Sequence, residues 1–219
     1  MTETPNENDF DEVLDTGIRT CTSHLEPDDL LEVFRGRSGE AELNDLLRHA
    51  LNRSVRERGW VAEREVTDGV EGLRRVDLAV TDTSRGWTRP ARVAWIEAKL
   101  QYPANAFISP GMFTGLAGKS SAADEHRLAA AATSTPKYLL TWVPHLARSV
   151  RPIKYARGHI RRGDEWVSNP AYDQWREVGT RLLEGLGSTR VLTIREERGS
   201  SGDLTLDAWV TRIAIPRSD

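Results

Sequence analysis

The sequence is poor in the features that identify secreted, membrane-spanning and disulfide-bonded proteins. Its 219 residues include one cysteine, Cys21, which excludes an internal disulfide and a cysteine-rich metal site. No apolar run approaches the ~20 residues that cross a bilayer. The N-terminus has neither the basic start nor the apolar stretch of a secretory signal. We therefore expect a cytoplasmic protein without a membrane partner.

Motifs for nucleotide and zinc chemistry are also missing. The sequence contains no phosphate-binding glycine loop of the GxxxxGK[ST] type, so we do not expect the protein to use ATP. Among its five histidines, no pair has metal-ligand spacing, and neither a zinc finger nor a helix-turn-helix is visible. The sequence therefore gives no support to ATP-driven, zinc-dependent or histidine-based catalysis.

The charged residues are unevenly distributed along the chain. The total formal charge is −3, but residues 1–32 hold ten acidic residues and a single basic one, Arg19. Residues 33–219 consequently carry a net charge of +6. This pattern predicts an acidic, partly flexible segment at 1–32 that precedes a basic domain at 33–219. A basic domain can bind a polyanion even though the whole chain is negative.

The spacing of the apolar residues predicts one mixed α/β domain. The clearest helix covers 38–59, with Ser38 as its cap and Gly59 at its end. Further on, the pattern predicts strands at 60–66, 74–82 and 91–100, a helix at 122–134, a strand at 136–143, a helix at 170–187, and a hairpin of 189–196 with 204–215. This order indicates a mixed central sheet flanked by helices, with a core at about 38–143. A C-terminal extension at 144–219 adds the last helix and the β-hairpin.

The predicted strand at 91–100 carries charged residues where an apolar strand is expected. Its sequence ends VAWIEAKL, and Glu97 and Lys99 lie two positions apart, on the same face of the strand. Charge at the end of a buried strand is costly unless another group compensates it. If this strand pairs with 74–82 as an antiparallel hairpin, Asp77 meets the same face.

Two carboxylates that converge on one point can bind a hard divalent cation, which prefers oxygen ligands. The carbonyl of Ala98 would be a further ligand, and Lys99 would lie beside the water that attacks the substrate. We expect Mg²⁺, with Mn²⁺ as the alternative. Two other interpretations stay open at this point: a plain salt bridge at a strand end, and Asp82 in place of Asp77, although Asp82 falls in a turn sequence.

The pattern of an acid on one strand, a β-turn-β connection and Glu-x-Lys on the next strand resembles the PD-(D/E)xK nuclease superfamily. That superfamily has the restriction-endonuclease-like fold, and residues 38–143 follow its α-β-β-β-α-β order. The sequence departs from the motif where Val76 stands in place of the proline.

The resemblance implies that Asp77 and Glu97 are metal ligands and that Lys99 is the catalytic lysine. It also implies an acid on the preceding helix, for which Glu40 and Glu42 compete. Helical spacing favours Glu40, which falls on the sheet-facing side.

The function that follows from the resemblance is Mg²⁺-dependent hydrolysis of DNA, double-stranded rather than single-stranded. Such an enzyme could act in restriction-like defence or in repair, and a small nuclease that cuts both strands is expected to be a homodimer. The alternative is a catalytically inactive DNA-binding or assembly subunit with the nuclease fold, and RNA is a third, less favoured substrate.

Several polar and basic residues are candidates for contacts with nucleic acid. Gln101 lies on the face of Lys99, and Lys119 follows in an irregular stretch. A basic run at 148–162 can neutralise phosphates without reading sequence, or can be a solvated basic face. Its basic residues are Arg148, Arg151, Lys154, Arg157, Arg161 and Arg162.

Overall fold

A computed structural model describes residues 7–23, 25, 30, 33, 39–66, 75–84, 86, 91–101, 135–146, 174–196 and 204–213. Its helices are α1 (Glu7–Cys21), α2 (Gly39–Val55), a short 3-10 helix (Arg56–Arg58) and α3 (Trp175–Gly185). Its strands are β1 (Trp60–Val66), β2 (Val76–Asp82), β3 (Ala91–Leu100), β4 (Lys137–Leu146), β5 (Thr189–Glu196) and β6 (Leu204–Ile213). None of the described helices is both long enough and apolar enough to span a bilayer.

The six strands form one mixed sheet in the order β1-β2-β3-β4-β6-β5. Neighbouring strands are antiparallel except for β3 and β4, which are parallel. A mixed α/β domain with a central sheet is therefore confirmed. A parallel pair needs a crossover connection between its strands. The helix predicted at 122–134 would belong to that connection, but it lies outside the described residues.

The strands match their predicted positions closely, and the main difference lies in β4. The prediction ends this strand at residue 143, before Pro144, but β4 continues to Leu146 and pairs with β6 along its whole length. On the side of β3, the last contact is the bond from the Gln101 N–H to the Trp142 carbonyl. Two residues later, Pro144 faces the same side, where β3 has already ended. Its missing N–H therefore breaks no bond between strands.

The acidic N-terminal segment contains a helix that the sequence analysis did not predict, Glu7–Cys21, and this helix packs into the core. The buried residues of α1 recur at helical spacing: Phe10, Val13, Leu14, Ile18 and Cys21. The acidic residues Asp9 and Glu12 lie on the exposed side. The acidic composition of residues 1–32 obscures this helical spacing of apolar residues in the sequence. A side chain at Gly17 would approach within 2.7 Å of Leu51, so its glycine permits close packing of α1 on α2.

Alternation along the strands separates two faces of the sheet. The face that α1 and α2 cover includes Ile96 and Ala98 of β3 together with Leu78 and Val80 of β2. Trp95 belongs to a second cluster on the other face, and α3 packs there through Leu183 in a further cluster. Because side chains alternate, Glu97 and Lys99 belong to the face opposite α1 and α2.

Candidate functional site

The candidate site lies where β2 and β3 separate from each other. Among the described residues, their pairing ends at Leu78 and Ile96. Beyond that point β2 stays paired with β1 through Val76, and β3 stays paired with β4 as far as Leu100. Asp77 and Glu97 are the next residues on the two diverging strands. We call this place the fork.

At the fork, carboxylates accept the hydrogen bonds that carbonyls of β2 would otherwise accept. The Ala98 N–H donates to Oδ2 of Asp77 at 2.9 Å, and the Leu100 N–H donates to Oε2 of Glu40 at 2.8 Å. The N–H groups of alternate residues point to the same edge of a strand, so both bonds fill the gap left by β2. The Ala98 carbonyl points to the same gap as its N–H group.

Lys99 connects the two acids of the strands. Its ammonium lies 3.0 Å from Oε1 of Glu97 and 3.9 Å from Oδ2 of Asp77. The Glu97 side chain is only 5% exposed, while those of Lys99 and Asp77 are 17% and 26% exposed. The fork thus holds two acidic groups and one ammonium in a partly desolvated place. Such a cluster is costly unless further positive charge or hydrogen bonds compensate it.

Of the four residues that the sequence singles out as the catalytic set, the structure brings Asp77, Glu97 and Lys99 together, and it places Glu40 at the Leu100 N–H of the same strand. Between the two helix acids, Glu40 is the one that bonds to β3. The Asp82 carboxylate, the rival of Asp77, accepts the Ser84 N–H at 2.9 Å, which is the turn contact expected from its sequence.

The proposed nucleic-acid contacts are only partly within the described residues. Gln101 follows directly after β3, is 8% exposed and donates its backbone N–H to the Trp142 carbonyl. Lys119 and the basic residues of 148–162 lie outside the described residues. Their role therefore stays a prediction from the sequence.

The chemistry of the fork fits a hard divalent cation, because its donors are carboxylate and carbonyl oxygens. Within the described part of the chain, no three acidic, histidine or cysteine side chains stand together as a ready-made metal cage. The carboxylates instead contact backbone N–H groups and the Lys99 ammonium. Binding a cation would consequently require the side chains to turn toward it.

Lys137 is a residue of this face that the sequence analysis did not single out. The register places Lys137 beside Trp95 and Leu139 beside Glu97, so Lys137 shares the face of the site. The side chain is fully buried, and this burial lowers the pKa of its amine. Its sequence signal was a lysine at the start of an apolar strand, directly after Pro136.

Comparison of the chain with protein-family models, with curated proteins and with solved structures finds no match. The functional conclusion therefore depends on the chemistry of the fork and on the motif that its residues form.

Proposed function

We propose that the protein is a Mg²⁺-dependent endonuclease that hydrolyses phosphodiester bonds of DNA at the fork. The observation that carries the proposal is the contact of Lys99 with both Glu97 and Asp77 at the end of a buried strand. A plain salt bridge needs one acid for one lysine. Here two acids from neighbouring strands face the same ammonium, and two carboxylates that converge in this way suit a divalent cation.

In this proposal Asp77 and Glu97 hold the cation, with the Ala98 carbonyl and Glu40 as further oxygen donors. When bound, Mg²⁺ supplies a Lewis acid that neutralises charge on the phosphodiester and activates a water. Lys99 donates hydrogen bonds to the negative oxygens that develop during attack. The oxygen of the water bonds to phosphorus while one P–O ester bond breaks, and the leaving oxygen receives a proton.

Binding of DNA is assigned to the basic part of the chain. Gln101 is close enough in sequence to Lys99 to contact a phosphate next to the scissile one. The basic run at 148–162 supplies the sequence-independent affinity for double-stranded DNA. Cleavage of both strands requires two active sites, so the proposal includes a homodimer. Restriction-like defence and repair or recombination are both roles open to such an enzyme.

A second candidate function is that of a DNA-binding or assembly subunit without catalysis. The observation that favours it is the pair of bonds from Ala98 to Asp77 and from Leu100 to Glu40, because they give both acids a structural purpose. Under this alternative the acids complete the hydrogen bonds of β3 and bind no cation.

A plasmid assay separates the two functions. Supercoiled plasmid is incubated with wild type, with Lys99→Ala and with Arg92→Ala, each in Mg²⁺ or in EDTA, and a parallel series uses RNA. Arg92 is a matched control, because it pairs with Glu63 at 3.0 Å at the other end of β3. We expect nicking by wild type and Arg92→Ala in Mg²⁺ only, and none by Lys99→Ala. Metal-independent binding of plasmid without any cutting by wild type would support the binding subunit instead.

A further inference from the structure

We infer that Lys99 competes with the divalent cation for Glu97 and Asp77, so that the lysine weakens metal binding as well as serving the reaction. The inference rests on the proposed function, since it concerns the same site. It assigns Lys99 two positions: on the carboxylates when the cation is absent, and away from them when the cation is bound.

The distances at the fork carry the first step. The ammonium contacts one oxygen of Glu97 at 3.0 Å and lies 3.9 Å from an oxygen of Asp77, so it sits between the two strand acids. Oxygen ligands of Mg²⁺ lie at about 2.0–2.1 Å from the ion. An ammonium that contacts these carboxylates and a cation bound to them would therefore lie only a few ångströms apart.

Electrostatics carries the second step. An ammonium and a divalent cation repel each other, and the low exposure of Glu97 and Lys99 reduces the screening of that repulsion. Lys99 therefore has to leave Glu97 when a cation binds. The backbone bonds of Asp77 and Glu40 do not involve the lysine.

A consequence for the reaction follows from the same exchange. A lysine that has left the carboxylates can donate to a phosphate oxygen, whereas a lysine on Glu97 is already engaged. Lys99 then becomes available to the substrate only after the cation is bound. Occupancy by the cation thus controls when the catalytic lysine reaches the phosphodiester.

Calorimetric titration of Mg²⁺ into the DNA-free protein tests the inference. The proteins are wild type, Lys99→Met, Lys99→Gln and, as the matched loss of one positive charge, Arg92→Met. We expect both Lys99 variants to bind Mg²⁺ roughly tenfold more tightly than wild type, which corresponds to about 1.4 kcal/mol. Arg92→Met keeps the wild-type affinity. Equal or weaker binding by the folded Lys99 variants overturns the inference.

Thermal unfolding gives a second readout, which remains informative if the Lys99 substitution lowers the stability of the protein. Without Lys99 the two strand acids repel each other, so Mg²⁺ should raise the melting temperature of Lys99→Gln by more than that of wild type. An equal rise in both proteins counts against the inference. The two proposals can fail separately. If wild type cleaves DNA but the Lys99 variants gain no affinity for Mg²⁺, the nuclease proposal holds and the competition proposal fails. If the Lys99 variants gain affinity but wild type does not cleave, the competition proposal holds and the nuclease proposal fails. No binding of Mg²⁺ to any of the proteins refutes both.

Discussion

Two substitutions at Asp77 separate its role in binding a cation from its role in completing the hydrogen bonds of β3. The carboxylate accepts the Ala98 N–H at 2.9 Å and lies 3.9 Å from the Lys99 ammonium. Asn keeps a side-chain oxygen that can accept the N–H and loses the charge. Ala loses both the acceptor and the charge.

The structure gives the size of the expected changes in stability. At 3.9 Å, attraction between Asp77 and Lys99 amounts to about 4 kcal/mol before solvation is considered, with an effective dielectric constant of about 20. Repulsion between Asp77 and Glu97, which both lie near the same ammonium, has the opposite sign and offsets part of this attraction. We therefore expect Asp77→Asn to change the free energy of unfolding by less than about 1 kcal/mol. Asp77→Ala leaves the Ala98 N–H without its acceptor and should cost about 1–3 kcal/mol.

Urea unfolding and plasmid cleavage in Mg²⁺ measure the two effects on the same preparations. We expect Asp77→Asn to unfold at the same urea concentration as wild type and to leave plasmid uncut. Asp77→Ala should be both inactive and less stable, and Glu97→Gln should be inactive but folded. If Asp77→Asn cuts at the wild-type rate, the assignment of Asp77 as a metal ligand is wrong. If it loses as much stability as Asp77→Ala, the argument from the hydrogen bond is wrong.

Three further predictions concern other parts of the chain. Asn52→Ala should lower the free energy of unfolding by about 1–3 kcal/mol in urea, because the Asn52 amide bonds both the N–H and the carbonyl of Ala62 on strand β1. Asn52→Asp, which can replace only the acceptor, should fall between wild type and Ala, and an unchanged midpoint for Asn52→Ala would contradict the role of these bonds. Burial raises the pKa of the Cys21 thiol to about 12, so Cys21 should resist a thiol reagent at pH 8 until urea unfolds the protein. Because the folded state disfavours the thiolate, the contribution of Cys21 to the free energy of unfolding is complete below the ordinary pKa of 9.0 and is lost as the pH rises toward 12. Rapid labelling of Cys21 in the folded protein would refute its burial. Replacing the three arginines within 157–162 by Gln should weaken binding of duplex DNA and reduce its salt dependence by a slope of about three, as measured by fluorescence anisotropy, and an unchanged affinity would assign them to a solvated face.

The adjacency of Asp77 and Glu97 could be predicted from sequence because alternation and register constrain each other in a hairpin. Once Leu78 and Val80 are assigned to the core face, Asp77 must lie on the opposite face. The same argument places Glu97 opposite Ile96. With a short connection between the strands, few registers keep both apolar faces buried, and the observed one brings the two acids to neighbouring positions.

Other features depend on contacts between residues that are distant in sequence. The bond from Leu100 to Glu40 exists only because β2 and β3 separate before Leu100, and no local pattern reports where two strands diverge. Asp207 is 1% exposed inside β6, where its carboxylate pairs with both Nε and Nη2 of Arg176 at 2.9 Å. A lone acid in a strand predicts an exposed position. The packing of α3 on the sheet supplies Arg176, and the Thr193 hydroxyl of β5 donates a further bond at 2.6 Å.

The hydrogen bonds of β3 explain part of the fork but leave its charge unexplained. To complete the Ala98 and Leu100 N–H groups, the chain needs two acceptors, and an uncharged Asn or Ser would accept these bonds with less desolvation. Glu97 accepts neither of those two bonds, yet its carboxylate is almost fully buried beside Lys99. Asp77 and Glu97 face a single ammonium, and mutual repulsion of the two carboxylates costs stability. The bonds of β3 account for Asp77 and Glu40 as acceptors at the fork, whereas the proposed cation would give Glu97 a role beyond its pair with Lys99.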